Sequence, residues 1–412
     1  MVLRDRDAVC YDRLFDDWRL TLAFPWSSAA DGANCRLKIL GEAQITDMNT
    51  QLLIDTARKL VADNKGLLAM DESNPTCDKR FAKLNIPQTL EARRAYRELI
   101  VTTPGLGECI SGAILYDETI RQQKKDGTPF LKVLTDAGII PGIKVDAGAK
   151  DLAAHPGEKI TEGLDGLRDR LAEYFQMGAR FAKWRAVLTI GDDIPSRSCI
   201  EANAHALARY AALCQEAGMV PIVEPEVLMD GDHTLEVCRK VTEEVLRNVF
   251  IQLNCQRVML EGMILKPNMV LPGLTCPPRQ EVKEVGIGEQ QYQVRLTDRQ
   301  PDEEQDIDEV ADITVKTLWR TVPAAVPGIA FLSGGQSAEL ASARLNLMNL
   351  RFKSQLPWAV SFSFARAIQQ PALEIWRGLE ANVKAAQQAL LHRARCNRAA
   401  RRGEYTAAME KK

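Results

Sequence analysis

Eight short apolar runs, most of them closing on charged or small polar residues, alternate with amphipathic stretches along most of this chain. They are GLLAMDES (66–73), SGAILYDE (111–118), GIIPGIKVD (138–146), ARFAKWRAVL (179–188), MVPIVEPEVL (219–228), VMLEGMILKP (258–267), GIAFLSGG (328–335) and PWAVSFSFAR (357–366). Between them lie helical faces such as Leu164, Leu167, Leu171 and Tyr174, stopped by Gly178, and Leu207, Tyr210, Ala211 and Cys214, stopped by Gly218. Continuous apolar strands separated by helices predict parallel pairing buried on both sides. Eight such units close a (β/α)8 barrel, with an open doubly wound sheet as the alternative. The position of the charges favours the barrel, because a barrel gathers its chemistry at the carboxyl ends of its strands.

Composition removes several classes of function. The chain is 46% hydrophobic and 26% charged with a formal net charge of −2, so it has no global field for nucleic acid or an anionic membrane, and an anionic ligand must be held locally. No window carries the run of about 18 apolar residues that a membrane helix needs. Ten cysteines without a CxxC pair predict reduced thiols in a cytoplasmic-type compartment. The four histidines, at 155, 205, 233 and 392, form no HxH or HxxxH pattern, so no metal site is expected.

The strand ends carry the chemistry. Lys144 and Asp146, Lys183 and Arg185, and Glu224 and Glu226 are each two residues apart, which puts both members of a pair on one face of a strand. Asp71, Glu72, Ser73, Lys266, Ser363 and Arg366 join them on the same rim. Any one pair could be a salt bridge capping a strand; three pairs on one rim predict mutual tuning of proton affinity. Lys266 stands alone in an apolar strand, where burial and nearby cations favour a free amine able to form an imine with a carbonyl substrate. Glu224 and Asp71 supply acid and base groups for that chemistry. Ser333-Gly334-Gly335-Gln336-Ser337, followed by a helical run, reads as a phosphate cradle that Arg366 completes.

With those residues assembled, the chain from about Gln51 to Tyr405 resembles the class I, Schiff-base fructose-1,6-bisphosphate aldolases. LLAMDES, GIKVDAG, FAKWR, VPIVEPEVL, LKPNMV, LSGGQS and PWAVSFSFARA occur in family order. The resemblance implies reversible cleavage of fructose 1,6-bisphosphate to dihydroxyacetone phosphate and glyceraldehyde 3-phosphate, in glycolysis, gluconeogenesis or the Calvin cycle, without metal or organic cofactor. It makes Lys266 the imine-forming lysine, Glu224 the proton shuttle and Asp71 the group acting at the C4 hydroxyl. Lys183, Lys144 and Glu226 would tune charge around the imine. Ser333, Gly334, Gly335, Ser363 and Arg366 would hold the phosphate nearer the ketone; Ser73, Thr76, Lys79, Arg80, Lys144 and Arg185 belong to the remaining substrate contacts. The expected partners are phosphorylated ketose and triose phosphates, with no nucleic acid and no membrane, in a homo-oligomer that the resemblance makes a tetramer.

Four departures from the family pattern follow. Ala365 stands where glycine is usual, and Thr76 where serine is usual. MEKK at 409–412 offers no terminal tyrosine. Residues of about 279–305 form an insertion after the sixth strand, read as a solvated loop, with a hairpin at the active-site mouth as the sharper alternative. Residues 1–47 read as an extension ahead of a barrel spanning 48–412, either poorly structured or preceding a true start at Met48; a plastid-type transit peptide is the alternative, against which Asp7, Asp12, Asp16 and Asp17 argue. The five arginines between His392 and Arg402 predict a solvated terminal helix rather than an RNA site. Rival functions are the same imine chemistry on sedoheptulose 1,7-bisphosphate or fructose 1-phosphate, and a noncatalytic scaffold on the same barrel.

Overall fold

A computed structural model describes residues 49–277, 282–287, 290–295 and 303–411. Eight parallel strands close into one barrel: β1 (Gly66–Met70), β2 (Ile110–Leu115), β3 (Ile140–Lys144), β4 (Phe181–Leu188), β5 (Val220–Val227), β6 (Ile264–Leu265), β7 (Gly328–Phe331) and β8 (Ala359–Phe364). Each pairs with its neighbour in sequence, and β8 closes on β1 through Leu67 opposite Ser363. The open-sheet alternative is thereby set aside. Side-chain oxygens cap the outer helices: Thr89, Ser196, Thr234 and Ser337 each accept from the N–H three residues on, a contribution of about 1 kcal/mol apiece.

The barrel interior is a packed column. Leu67, Ala69, Ile114, Phe181, Val220, Ile222, Ile264 and Ala330 form one buried cluster with Leu53, Ala57, Leu60 and Val61 from the helix spanning 49–60 and the turn after it. That helix stops the amino-terminal end of the barrel. A Cβ at Gly328, the first residue of β7, would meet Val61 Cγ1 at 2.6 Å, and one at Gly112 would meet Leu60 Cδ2 at 2.7 Å. Gly142 does similar work higher up, where a side chain would strike the Phe181 ring at 2.2 Å. Burying each of the large apolar side chains in this column stabilises the fold by about 2 kcal/mol.

Two expectations are corrected. The sixth strand, expected over 258–267, is reduced to Ile264–Leu265, with a short helical turn at Leu260–Gly262 before it. The Gln215 side chain takes over the hydrogen bonds that a ladder would make: its amide donates to Met259 O at 2.7 Å, and its carbonyl accepts from Met259 N at 2.9 Å. The ladder still reaches Lys266, whose N–H donates to Val223 O at 2.8 Å. The terminal helix Val383–Arg402 is not solvated all round, because Arg393 and Arg401 are buried. Arg401 spends its donors on Asn349 Oδ1 and Val61 O, so these arginines tie the helix to the barrel.

In the stretch expected to be an insertion, Val282–Ile287 and Gln290–Arg295 pair as an antiparallel ribbon. The 1–47 extension lies outside the described residues. The eight described cysteines are free thiols, six of them buried. No helix among the described residues is long and apolar enough to cross a membrane.

Candidate active site

Along each catalytic strand the inward stripe is apolar at the base and becomes ionisable at the top, in steps of two. On β1 the stripe runs Leu67, Ala69, Asp71; on β4, Phe181, Lys183, Arg185; on β5, Val220, Ile222, Glu224, Glu226; on β6, Ile264, Lys266. Parallel register then sets Lys144 beside Lys183 and Arg185 beside Glu224. The pleat and the register together gather the charges under a cavity of about 1010 Å³, with Lys183, Glu224, Glu226 and Lys266 buried and Arg185 exposed at the rim.

Lys183 is the hub of this cluster. Its Nζ lies 2.6 Å from Asp71 Oδ2, 3.2 Å from Glu224 Oε2 and 3.9 Å from Asp146 Oδ2. Burial pulls its proton affinity down, but the three carboxylates outweigh burial and hold it well above the ordinary lysine value. Lys183 is therefore a fixed cation. Burial pushes Asp71 and Glu224 up, yet Lys183 and Lys266 outweigh it and hold both below the usual carboxylate range. Lys144 Nζ lies 3.3 Å from Asp146 Oδ1, and Arg185 Nε donates to Glu226 Oε2 at 2.5 Å. Lys266 is bound differently: its Nζ lies 2.8 Å from Glu224 Oε1, at the cavity floor. An amine with one carboxylate beside it, open to a cavity, can attack a carbonyl and pass protons to that carboxylate.

Two groups of anion donors line the same cavity. Gly334 and Gly335 take positive φ values, +56° and +91°, which open the turn after β7 and are strained for any other residue. A Cβ at Gly335 would come within 3.4 Å of Arg366 Nη2, so the arginine stands beside this turn. Ser333 is buried, and Ser363 Oγ is buried without a hydrogen-bond partner among the described residues. Ala365 has φ −105°, so the usual glycine is not required there by backbone conformation. The second group comprises Ser73, Thr76 and Arg80, at and along the helix Asn74–Ala82 that follows β1. Ser73 Oγ and Thr76 Oγ1 lie 3.0 Å apart.

Every residue singled out from sequence lines this cavity except Lys79, which is exposed on the same helix as Arg80 and is absent from the lining. Asp146 and Glu72 were placed on the rim from sequence but assigned neither a catalytic nor a substrate-binding role. Asp146 proves to be buried between Lys144 and Lys183, and its Lys144-x-Asp spacing was the available signal. Glu72 pairs with Arg80 at 2.6 Å and with the buried Arg97 at 2.9 Å, which fixes Arg80 at the cavity wall. No local spacing announces that contact, since Arg97 comes from the next helix. Away from the cavity, His392, Cys396 and Glu410 lie close together, but Arg393 already occupies the Glu410 carboxylate.

Comparison with known proteins agrees with this geometry. The family described as fructose-bisphosphate aldolase class-I matches residues 52–295 and 293–412. A probable fructose-bisphosphate aldolase class 1 of Xanthomonas campestris is 54% identical over 359 residues, covering 87% of this chain and 99% of its own. The cytosolic fructose-bisphosphate aldolase 6 of Arabidopsis thaliana is 49% identical over 353 residues, covering 86% and 91%. The Plasmodium falciparum fructose-bisphosphate aldolase, solved in complex with TRAP and a small-molecule inhibitor, superposes with a TM-score of 0.79 at 44% identity, covering 87% and 96%. The chain belongs to the class I fructose-bisphosphate aldolase family.

Proposed function

We propose that Lys266 carries out the reaction of this family, reversible cleavage of fructose 1,6-bisphosphate to dihydroxyacetone phosphate and glyceraldehyde 3-phosphate, by forming an imine with the ketone carbon. The observation that supports it is the contrast between two buried lysines: Lys183 is committed to three carboxylates, and Lys266 faces the cavity with Glu224, at 2.8 Å, as its one ion-pair partner among the described residues. The amine attacks C2, and Glu224 takes the proton released from nitrogen and returns one to the departing hydroxyl, so that water leaves. The resulting iminium accepts the electron pair of the C3–C4 bond as Asp71, held ionised by Lys183, accepts the C4 hydroxyl proton. The aldehyde departs, the enamine is protonated at C3, and water releases the second triose from Lys266.

Ser333, Gly334, Gly335, Ser363 and Arg366 hold the phosphate on the ketone side; Ser73, Thr76, Arg80, Lys144 and Arg185 serve the other end of the sugar. Glu226 keeps Arg185 in place. No metal or organic cofactor enters this scheme. Three Arabidopsis relatives named cytosolic support a cytoplasmic location, and the family resemblance supports a homotetramer, which sedimentation equilibrium would test.

Borohydride reduction in the presence of dihydroxyacetone phosphate tests the central claim. One triose phosphate adduct mapped to Lys266 is expected; equal trapping in a Lys266→Met variant would sink it.

A further inference from the structure

One of the two buried arginines of the terminal helix touches both halves of the phosphate site from behind. Arg393, 3% exposed, donates from Nη2 to Ala338 O and to Ser342 Oγ, each at 2.8 Å, and from Nε to Ala367 O at 3.4 Å. Its Nη1 meets Glu410. Ala338 is the first residue of the helix Ala338–Phe352, which Ser337 caps directly after the Gly334-Gly335 turn. Ala367 follows Arg366 at the start of the helix Arg366–Trp376. One guanidinium thus holds the opening turns of the two helices that deliver the glycine turn and Arg366 to the cavity.

We infer that Arg393 is a positioning residue for the phosphate nearer the ketone, setting the spacing between the Ser333–Gly335 turn and Arg366 without touching substrate. The physical reason lies in the fork of the guanidinium. Donors in a rigid plane fix the relative position of two carbonyl oxygens from different helices, which a flexible ammonium does not. A dianion bound between two preorganised donor groups is sensitive to sub-ångström changes in their separation. Glu410 completes the device from the other side, because its carboxylate offsets the cost of taking the guanidinium charge out of water and fixes the remaining edge of the fork. Tyr405 donates its hydroxyl to Glu410 Oε1 at 2.8 Å, which orients that carboxylate. The segment Ala407–Lys411 therefore acts on the phosphate site through Arg393.

This inference rests on the phosphate assignment proposed above, and a paired measurement separates the two. Half-saturation of borohydride trapping is measured with dihydroxyacetone phosphate and with dihydroxyacetone, which lacks the phosphate, in the wild type, Arg393→Lys, Arg393→Met and Glu410→Gln. The half-saturating concentration for dihydroxyacetone phosphate should rise about tenfold in Arg393→Met, with Arg393→Lys and Glu410→Gln intermediate, while trapping by dihydroxyacetone is unchanged. An equal loss for both trioses, or no loss for either, overturns the positioning role. Calorimetric titration with inorganic phosphate needs no imine and asks the same question. An unchanged phosphate affinity in Glu410→Gln and Arg393→Lys also overturns it, and Glu410→Gln keeps the test open if Arg393→Met fails to fold. A wild type that binds phosphate but traps neither triose would refute the Lys266 chemistry and leave the phosphate titration to decide on Arg393.

Discussion

Lys266 Nζ rests 2.8 Å from Glu224 Oε1, and the other oxygen of the same carboxylate lies 3.2 Å from Lys183 Nζ. One carboxylate is therefore shared between the amine that reacts and a cation that does not. Replacing Lys266 by methionine keeps the volume and leaves Glu224 paired with Lys183. Lys266→Met should fold with a near wild-type melting curve and lose at least about a thousandfold in kcat for fructose 1,6-bisphosphate, as expected when a covalent nucleophile is removed. Substantial residual turnover would point to another amine.

Glu224→Gln removes the proton carrier and keeps the shape. Turnover should fall by about a hundredfold to ten-thousandfold, the usual contribution of a positioned acid or base. Single-turnover borohydride trapping should slow in step, because carbinolamine dehydration needs the same group. A loss of turnover with normal trapping would move the role of Glu224 to a later step.

The Asp71–Lys183 pair is expected to contribute to the acid limb of stability. The Asp71 carboxyl is held below its unfolded value of 3.8, so its contribution is complete above that value and is lost as pH falls from there toward the folded value. Lys183 has the opposite sign: it is held above 10.5, so its contribution is complete below that pH and declines as pH rises through the folded value. Melting temperatures measured from pH 7 down to pH 2 should fall less steeply in Asp71→Asn than in the wild type. Parallel curves would show that the pair does not govern acid unfolding.

Glu72 joins Arg80 at the cavity wall to Arg97 in the interior. Its own carboxyl stays ionised because those arginines outweigh the cost of burial. Glu72→Gln leaves Arg97 buried without a counter-charge and should cost about 3 kcal/mol in urea unfolding. With Arg80 released, KM for fructose 1,6-bisphosphate should rise more than kcat falls. An unchanged KM would remove Arg80 from the substrate contacts.

The ribbon Val282–Ile287 with Gln290–Arg295 pairs only with itself among the described strands. A two-stranded ribbon contributes little stability alone. Replacing 282–295 by a short Gly/Ser linker should leave both the melting temperature and the KM for fructose 1,6-bisphosphate unchanged. A raised KM at constant stability would show that the ribbon covers the mouth.

Where residue pattern and geometry coincide, the sequence was readable. Eight apolar runs became eight strands, and two-residue spacing placed Lys183 with Arg185 and Glu224 with Glu226 because a pleat has period two. Lys266 was found because it is the lone charge in an otherwise apolar strand, where burial favours a free amine. Legibility failed where a single long-range side chain decides the outcome. Gln215 replaces strand hydrogen bonds before Ile264, and Arg393 and Arg401 turn a run of surface-like charge into an interior brace. Lys79 and Arg80 are neighbours in sequence, and only helical phase decides that Arg80 faces the cavity and Lys79 does not.

Leu53, Ala57 and Leu60 cork the lower end of the barrel, and the Phe181 ring fills the space above them. A cork at one end makes the site a cul-de-sac, so sugars, water and exchanging protons all share the doorway at the other. The enamine carbon can therefore take its proton from the carboxylates already inside, Asp71 or Glu224, or from solvent that enters by the same doorway once the aldehyde has left. Isotope from heavy water in dihydroxyacetone phosphate then reports how far solvent competes with those internal protons, and product departure by the shared doorway sets the time allowed for it.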